Sequence, residues 1–327
     1  MAAIQGSGVA VVSDSNAGFE HSHPWLHAYA VFVAFATLFP IIAGALVTSN
    51  DAGLSVPDWP TSFGTFRMPR MVGGVLYEHG HRMIAATVGL LTLILALWVW
   101  WKEPRRWARW LALAAVLAVV AQGVLGGITV LFYLPVAIST GHATLAQTFF
   151  CIMVTLALTI QRDWRWNEPS KLADETGMIS SWQLALATTG AIYLQLILGA
   201  IFRHNGIGIA PHLAGAVLVA ALATWLGTRV FAKFPTNRPL TRWMMALMGL
   251  LAFQIFLGIS AYILKIQFRD APQPMPVFVR ATTAHVAVGA LLLASSLILT
   301  LQIYRRVAGP GASSDSRGIR ATQKAAA

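Results

Sequence analysis

The sequence predicts an all-α polytopic membrane protein, with eight transmembrane helices arranged as two pseudo-symmetric four-helix bundles. Three observations carry that reading. First, 57% of the 327 residues are hydrophobic and only 11% are charged, against about 25% charged in an average soluble domain. A soluble fold of this length cannot hide so much apolar surface in one core. Second, eight separate stretches reach the ~20 apolar residues that cross a bilayer. Third, a glycine motif and a histidine recur along the chain and divide it into two halves. With a mean hydropathy of +0.65, these features exclude an ordinary cytosolic enzyme, a disordered chain and a nucleic-acid binder. The net charge of +11 is then loop charge that sets topology. Cys151 is the single cysteine, so no intrachain disulfide and no thiolate metal cluster can form.

The spans fall at residues 27–48, 78–101, 108–130, 139–161, 181–202, 211–231, 243–263 and 282–304. They read as helices because backbone groups in lipid must be satisfied within the segment, and no alternating strand pattern is present. Residues 1–26 form an N-terminal tail without Lys or Arg. It lacks the positive n-region of a signal peptide, so the first span is expected to stay in the mature protein. Residues 27–161 make the first four-span half, 162–180 a polar linker, and 181–304 the second half. Residues 305–327 form a Gly/Ser/Ala-rich tail expected to be disordered. The outer loop 49–77 is long, 131–138 and 203–210 are short, and 264–281 is intermediate.

Basic residues orient the spans. With the N-terminus cytoplasmic, sixteen Lys and Arg fall inside, among them Lys102, Arg105, Arg165, Lys171, Arg238 and Arg306. Seven fall outside: Arg67, Arg70, Arg82, Arg203, Lys265, Arg269 and Arg280. The bias places both termini in the cytoplasm of a multi-pass protein of the cell membrane.

The odd spans carry a repeat. Gln122-Gly-Val-Leu-Gly126, Gln195-Leu-Ile-Leu-Gly199 and Gln254-Ile-Phe-Leu-Gly258 lie on the third, fifth and seventh, and Pro40-Ile-Ile-Ala-Gly44 takes the same place on the first. Glycines at this spacing let helices approach closely, and glutamine can hydrogen-bond between them. The even spans each carry a histidine near the outer end: His81, His142, His212 and His285. Both halves begin on the same side, so the repeat is parallel.

Of nine histidines, His21, His23 and His27 belong with the N-terminal tail, and His79 and His204 with the outer membrane edge. The remaining four are different. Ionisable groups inside spans are rare and functional by default, and one per even span, one to three residues in, places all four in the outer leaflet. Imidazole pairs facing across a bundle can hold haem iron between two axial ligands. Zinc would call for cysteine or carboxylate beside them. Small neighbours such as Gly141, Gly215 and Gly289 leave room for a porphyrin face. The pairs are read as His81 with His142, and His212 with His285.

The halves are unequal. Glu78 lies i, i+3 from His81 on one helix face, and nothing comparable stands beside His212 or His285. A carboxylate there can give or take a proton, or it can simply pair with Arg82. Arg82, Arg203 and Arg280 lie at the outer edge, where haem propionates need cations.

These residues are where the chain resembles the heme A synthase family. The resemblance rests on Gly44-Ala-Leu-Val-Thr-Ser-Asn-Asp-Ala-Gly-Leu-Ser-Val-Pro-Asp-Trp-Pro60, Glu78-His-Gly-His-Arg82, Gly141-His142, Pro211-His212 and Ala284-His285. It implies two pseudo-symmetric four-helix bundles and an oxidoreductase that converts the C8 methyl of haem O to the formyl of haem A. It further implies that His81 and His142 hold the substrate haem, that His212 and His285 hold a haem b cofactor, and that Glu78 is the essential acid. The implied partners are a haem O synthase, a membrane electron donor and lipid. Many members carry a cysteine pair in the first outer loop; here that loop has none, and its Pro57-Asp-Trp-Pro60 run is expected to order it instead. On the residues alone, a di-haem b electron-transfer protein and a haem transporter or chaperone also fit.

The charge bias makes a testable statement about topology. A reporter fused after Arg165 or Arg238 is expected to read cytoplasmic, and one within Asp51–Arg70 external. The opposite pattern would overturn the orientation.

Overall fold

The computed structural model describes residues 24–161, 164, 172, 174 and 179–307. His21 and His23, linker residues such as Arg162, Arg165 and Lys171, and the tail from residue 308 lie outside the described residues. The described residues form α1 (Pro24–Ala36), α2 (Leu38–Ser49), α3 (Gly74–Lys102), α4 (Arg106–Leu131), α5 (Val136–Thr159), α6 (Ser181–Arg203), α7 (Ala210–Lys233), α8 (Arg238–Gln267) and α9 (Pro276–Arg306). They contain eight helical stretches long and apolar enough to span a membrane, with α1 and α2 counted as one. Among the described residues there is no strand, only two isolated bridges.

Three expectations need correction. The first span is not one helix but breaks at Thr37. Pro40 is the cause: it has no N–H to give the carbonyl four residues back, and its ring crowds that carbonyl. The Thr37 hydroxyl instead donates to the Val33 carbonyl at 2.9 Å. The last outer loop runs only from 268 to 275, because α8 continues to Gln267 and α9 begins at Pro276. An apolar window finds only the part of a helix inside hydrocarbon, whereas Pro276 at the first helical turn starts α9 well before it. Arg305 and Arg306 complete α9 rather than open a disordered tail, and the carbonyl of Arg306 accepts from the Leu172 N–H at 2.8 Å.

Each half closes on itself. α1 and α2 pack on α3, α3 on α4, α4 on α5, and α5 returns to α1; α6, α7, α8 and α9 form a second ring in the same way. Leu95, Met153 and Leu156 fill the first ring, and Leu184, Leu226, Met244 and Leu299 the second. Between the rings, α9 lies against α2 and α5, and α5 against α6. Ile41, Phe150, Val154, Ala290 and Ala294 form the apolar part of this seam.

Several polar groups in the spans bond across helices, where lipid offers no partner. Thr189 bonds Ser296 at 2.7 Å and Thr300 at 2.8 Å, joining α6 to α9, while Thr148 meets Tyr193 at 2.6 Å between α5 and α6. At the far end, Arg105 pairs with the buried Glu103 at 2.6 Å and donates to the Thr159 and Ile160 carbonyls that end α5. Carbonyls at a helix C-terminus lack internal partners and favour a cation.

Candidate functional site

The four span histidines meet in two pairs. His81 on α3 faces His142 on α5 with ring centres 6.5 Å apart and planes at 89°. His212 on α7 faces His285 on α9 at 6.3 Å and 75°. Each pair lies within one half, as the repeat implied. The shared depth that the sequence suggested is not a shared helical register. His81 lies seven residues after Gly74, His142 six after Val136, His212 two after Ala210 and His285 nine after Pro276. The helices overshoot the apolar core by different lengths, so counting from the apolar edge misjudges the offset.

Each histidine rests on the glycine that closes the repeat motif of the preceding span. A Cβ added at Gly44 or Gly126 would stand 3.3 Å from Cε1 of His81 or His142, and one at Gly199 or Gly258 would stand 2.9 Å from Cε1 of His212 or His285. The peptide carbonyl that opens each motif, of Pro40, Gln122, Gln195 or Gln254, faces the same ring. It does not close a hydrogen bond, and all four Nδ1 atoms are buried without a partner. The sequence showed these glycines as close-approach points between helices. It did not show that what approaches is an imidazole.

The donor set fits a haem held by two axial imidazoles. A metal–imidazole bond is roughly 2 Å, so two bonds plus the distance from each nitrogen to its ring centre reach about the separation observed. The orphaned Nδ1 atoms beside a carbonyl are the arrangement in which a ligating histidine donates its second N–H. Among the described residues, no group of three or more His, Cys, Asp or Glu is placed to chelate an ion. The sites are therefore pairs, which suits a prosthetic group that brings its own equatorial ligands.

The first site has a cover. Glu78 is buried, at 4% exposure, and both its oxygens are engaged: Oε2 accepts from the Val56 N–H at 2.8 Å and Oε1 from Arg82 at 2.6 Å. Arg82 also donates to the carbonyls of Asp58 at 2.8 Å, Thr61 at 3.0 Å and Val56 at 3.3 Å. The pair thus ties loop 50–73 onto the start of α3. Both terminal nitrogens of the Arg82 guanidinium are engaged here.

The Pro57-Asp-Trp-Pro60 run orders the loop as expected. The Asp58 carboxylate accepts from the Thr61 hydroxyl and from the N–H groups of Phe63 at 2.7 Å and Gly64 at 2.8 Å. These bonds, that of Thr61 foremost, hold its carboxyl below the usual range. The Trp59 ring lies directly on Gly127 of α4, the neighbour of the glycine that carries His142. His79 stays at the edge, bonded through Nδ1 to the Ser62 hydroxyl at 2.9 Å. Trp59 and Val56 were missed as site residues; a tryptophan set between prolines beside a paired glycine on α4 was the available signal.

The other two arginines differ. Arg203 reaches across the seam from α6 to α2, donating to the Ala45 carbonyl at 2.9 Å and the Ser49 hydroxyl at 2.7 Å. Ser49 in turn bonds Thr282 of α9 at 2.8 Å. No carboxylate ion pair to Arg203 occurs among the described residues. Arg280 is exposed and, with Asn50, Tyr77 and Pro276, lines a cavity of about 360 Å³. His204 caps the end of α6. Burial, and then the adjacent Arg203, push its imidazole below the usual range. His27, next to the N-terminal tail, is half-buried in the first turns of α1, with its Nδ1 buried and without a partner.

Comparisons with known proteins bear on this geometry. The sequence model of a family described as cytochrome oxidase assembly protein matches residues 70–211, which contain Glu78, His81 and His142 and end one residue before His212. A heme A synthase from Symbiobacterium thermophilum is 34% identical over 181 residues, 53% of this chain and 57% of that protein. One from Alkalihalophilus pseudofirmus is 30% identical over 145 residues, 44% of this chain and 49% of that protein. One from Bacillus licheniformis is 27% identical over 188 residues, 57% and 61% of the two chains. The alignments thus span about half to three-fifths of the length of these relatives.

The clamp on the outer loop can be tested directly. Glu78→Ala removes the acceptor for Val56 N–H and leaves Arg82 without its counter-charge, and breaking a buried pair costs about 3–5 kcal/mol. Loop 50–73 should become cleavable in limited proteolysis while the helices stay protected. A loop as resistant as in the parent protein would show that Glu78 does not hold it.

Proposed function

We propose, from the premise that residues 70–211 belong to the cytochrome oxidase assembly protein family, that this chain is a heme A synthase. It would oxidise the C8 methyl of haem O to the formyl of haem A for terminal oxidase assembly. The observation that carries the proposal is the pair of facing imidazoles in each half, only one of which stands beneath an acid and an ordered loop. Two such unequal sites suit the scheme that the resemblance implies: one where a ring is changed, one that stays as it is.

In this reading His81 and His142 hold the substrate haem, and His212 and His285 hold haem b. When bound, haem iron would supply redox chemistry at the ring methyl; taking that methyl to a formyl group removes electrons and adds an oxygen, so a redox partner in the membrane and an oxygen source complete the reaction. The chain's own residues orient and shield. The glycines seat the imidazoles, and the loop carrying Trp59 closes the outer end of the first bundle against water. Arg82, Arg203 and Arg280 are the cations offered to propionates; Arg280 is exposed, while Arg82 and Arg203 also bond carbonyls of the loop and of α2.

Glu78 remains the essential acid of the proposal, and its bonds to Val56 and Arg82 support a structural part as well. It orients the loop and Arg82 first. Each oxygen keeps a second lone pair, so it can also take a proton while bonded to the Val56 N–H and Arg82. Haem O arrives from a haem O synthase or laterally from lipid, in the cell membrane, with both termini cytoplasmic.

The test is the pigment of the purified protein. Haem A or its hydroxylated precursor beside haem b supports the proposal, and haem b alone speaks for an electron carrier. His285→Ala should remove one low-spin haem and spare the ligands of the other site; an unchanged haem-to-protein ratio refutes that assignment. Glu78→Gln should retain haem b and lose turnover by about 10²–10⁴-fold, the usual weight of a general acid or base. Turnover at the parent rate would make the carboxylate purely structural.

A further inference from the structure

The glycines under the histidines do more than let helices touch. In an α-helix the carbonyl of residue i is bonded to the N–H of i+4. The side chain at i+4 flanks that carbonyl and shields it from a second donor. Here i+4 is glycine in all four motifs, and the uncovered carbonyl of Pro40, Gln122, Gln195 or Gln254 faces the histidine of the next span. A ligating histidine ordinarily gives its second N–H to such a carbonyl, which fixes the tautomer and aims the other nitrogen at the metal. The buried, unpaired Nδ1 atoms of His81, His142, His212 and His285 are the donors waiting for that acceptor.

The two halves use the device to different degrees. In the second half the seating is reciprocal. His212 and His285 lie on Gly199 and Gly258 of the preceding helices, and the amides of Gln195 and Gln254 fold back over Gly215 and Gly289 of the histidine helices. The Gln195 amide donates to the His212 carbonyl at 2.7 Å and stands 3.4 Å from its Nε2, and that of Gln254 stands 3.3 Å from His285 Nε2. In the first half the seating is one-sided. Pro40 stands on α2 where the other three motifs have a glutamine. The fit is looser too, 3.3 Å against 2.9 Å to the nearest ring atom.

We propose that Gly44, Gly126, Gly199 and Gly258 are positioning residues for the four haem-ligating histidines. This rests on the haem A synthase reading, in which the four histidines are haem ligands. Gly190, Gly249 and Gly123 lie on the same helices, α6, α8 and α4, with nothing within 4 Å of an added Cβ. They are matched controls for the loss of glycine itself.

The experiment uses the full chain, purified with its pigment. Gly199→Ala and Gly258→Ala should weaken retention of haem b by about 10- to 100-fold, the usual effect of disturbing the support of a metal ligand. They should also move the g-values of the ferric low-spin haem, which a general loss of stability would not do. Gly190→Ala and Gly249→Ala should leave both unchanged. Gly44→Ala and Gly126→Ala should leave haem b intact and disturb only the first site. A Gly258→Ala protein with parent haem content and spectrum overturns the proposal. If Gly199→Ala and Gly258→Ala do not accumulate as folded protein, Gly126→Ala is read against Gly123→Ala, and a silent Gly126→Ala overturns it equally. His285→Ala separates the two levels: if that variant also keeps all its haem, the haem b assignment itself has failed.

Discussion

An imidazole inside a helical bundle needs space that the facing helix must give up. Two rings about 6 Å apart within one bundle need it twice, and this chain repeats the arrangement in both halves. The space comes from glycines, one beneath each ring. Helix approach, motif spacing and ring placement are therefore a single constraint. The spans carrying the glycines must neighbour those carrying the histidines, which favours a closed ring of four over an open stack. The same closeness brings a backbone carbonyl to each ring and supports the ligand as well as seating it.

Around that shared plan the halves diverge by what covers each pair. In the first half, Glu78 and Arg82 tie down a long outer loop and Trp59 lies on the bundle. In the second, short connections leave the ends of α7 and α9 without such a cover, and glutamines fill the space beside the histidines. A site that exchanges a large ring and changes it chemically benefits from a cover that holds water out and can open. A site that only passes electrons benefits from a tight fit. The seam does not separate the two: Arg203, Ser49 and Thr282 join α6, α2 and α9 at the end of the bundles that carries loop 50–73.

The outer loop shows how non-covalent contacts can take the place of a cross-link. With Cys151 the single cysteine, and that one within α5, no disulfide can order the loop. Its order comes instead from a carboxylate accepting three bonds at Asp58, from an arginine donating to three loop carbonyls, and from an indole set on glycine. Each contact is modest alone. Together they satisfy backbone groups that would otherwise be bare at the membrane surface.

Membrane class, the eight spans and the pairing of histidines within halves could be read from the sequence by itself, because each rests on a local or periodic property. Apolar length is set by bilayer thickness, and a repeat places equivalent residues at equivalent positions. The resemblance in the Glu78-His-Gly-His-Arg82 run pointed to the chemistry for the same reason. Tertiary structure alone decided what depends on distant segments meeting. Pro40 breaks the first span, a local effect that span length masks, but the bond of Glu78 to the Val56 N–H, the seat of Trp59 on Gly127 and the reach of Arg203 to Ser49 join residues 22, 68 and 154 apart in the chain. The helix ends beyond the apolar core, and with them the register of the histidines, were also hidden, since hydropathy registers lipid and not the helix that continues past it. Whether Glu78 was a free acid or a clamp could not be read from its spacing to His81, because the group that decides it, the Val56 N–H, belongs to a loop whose path only the folded chain defines.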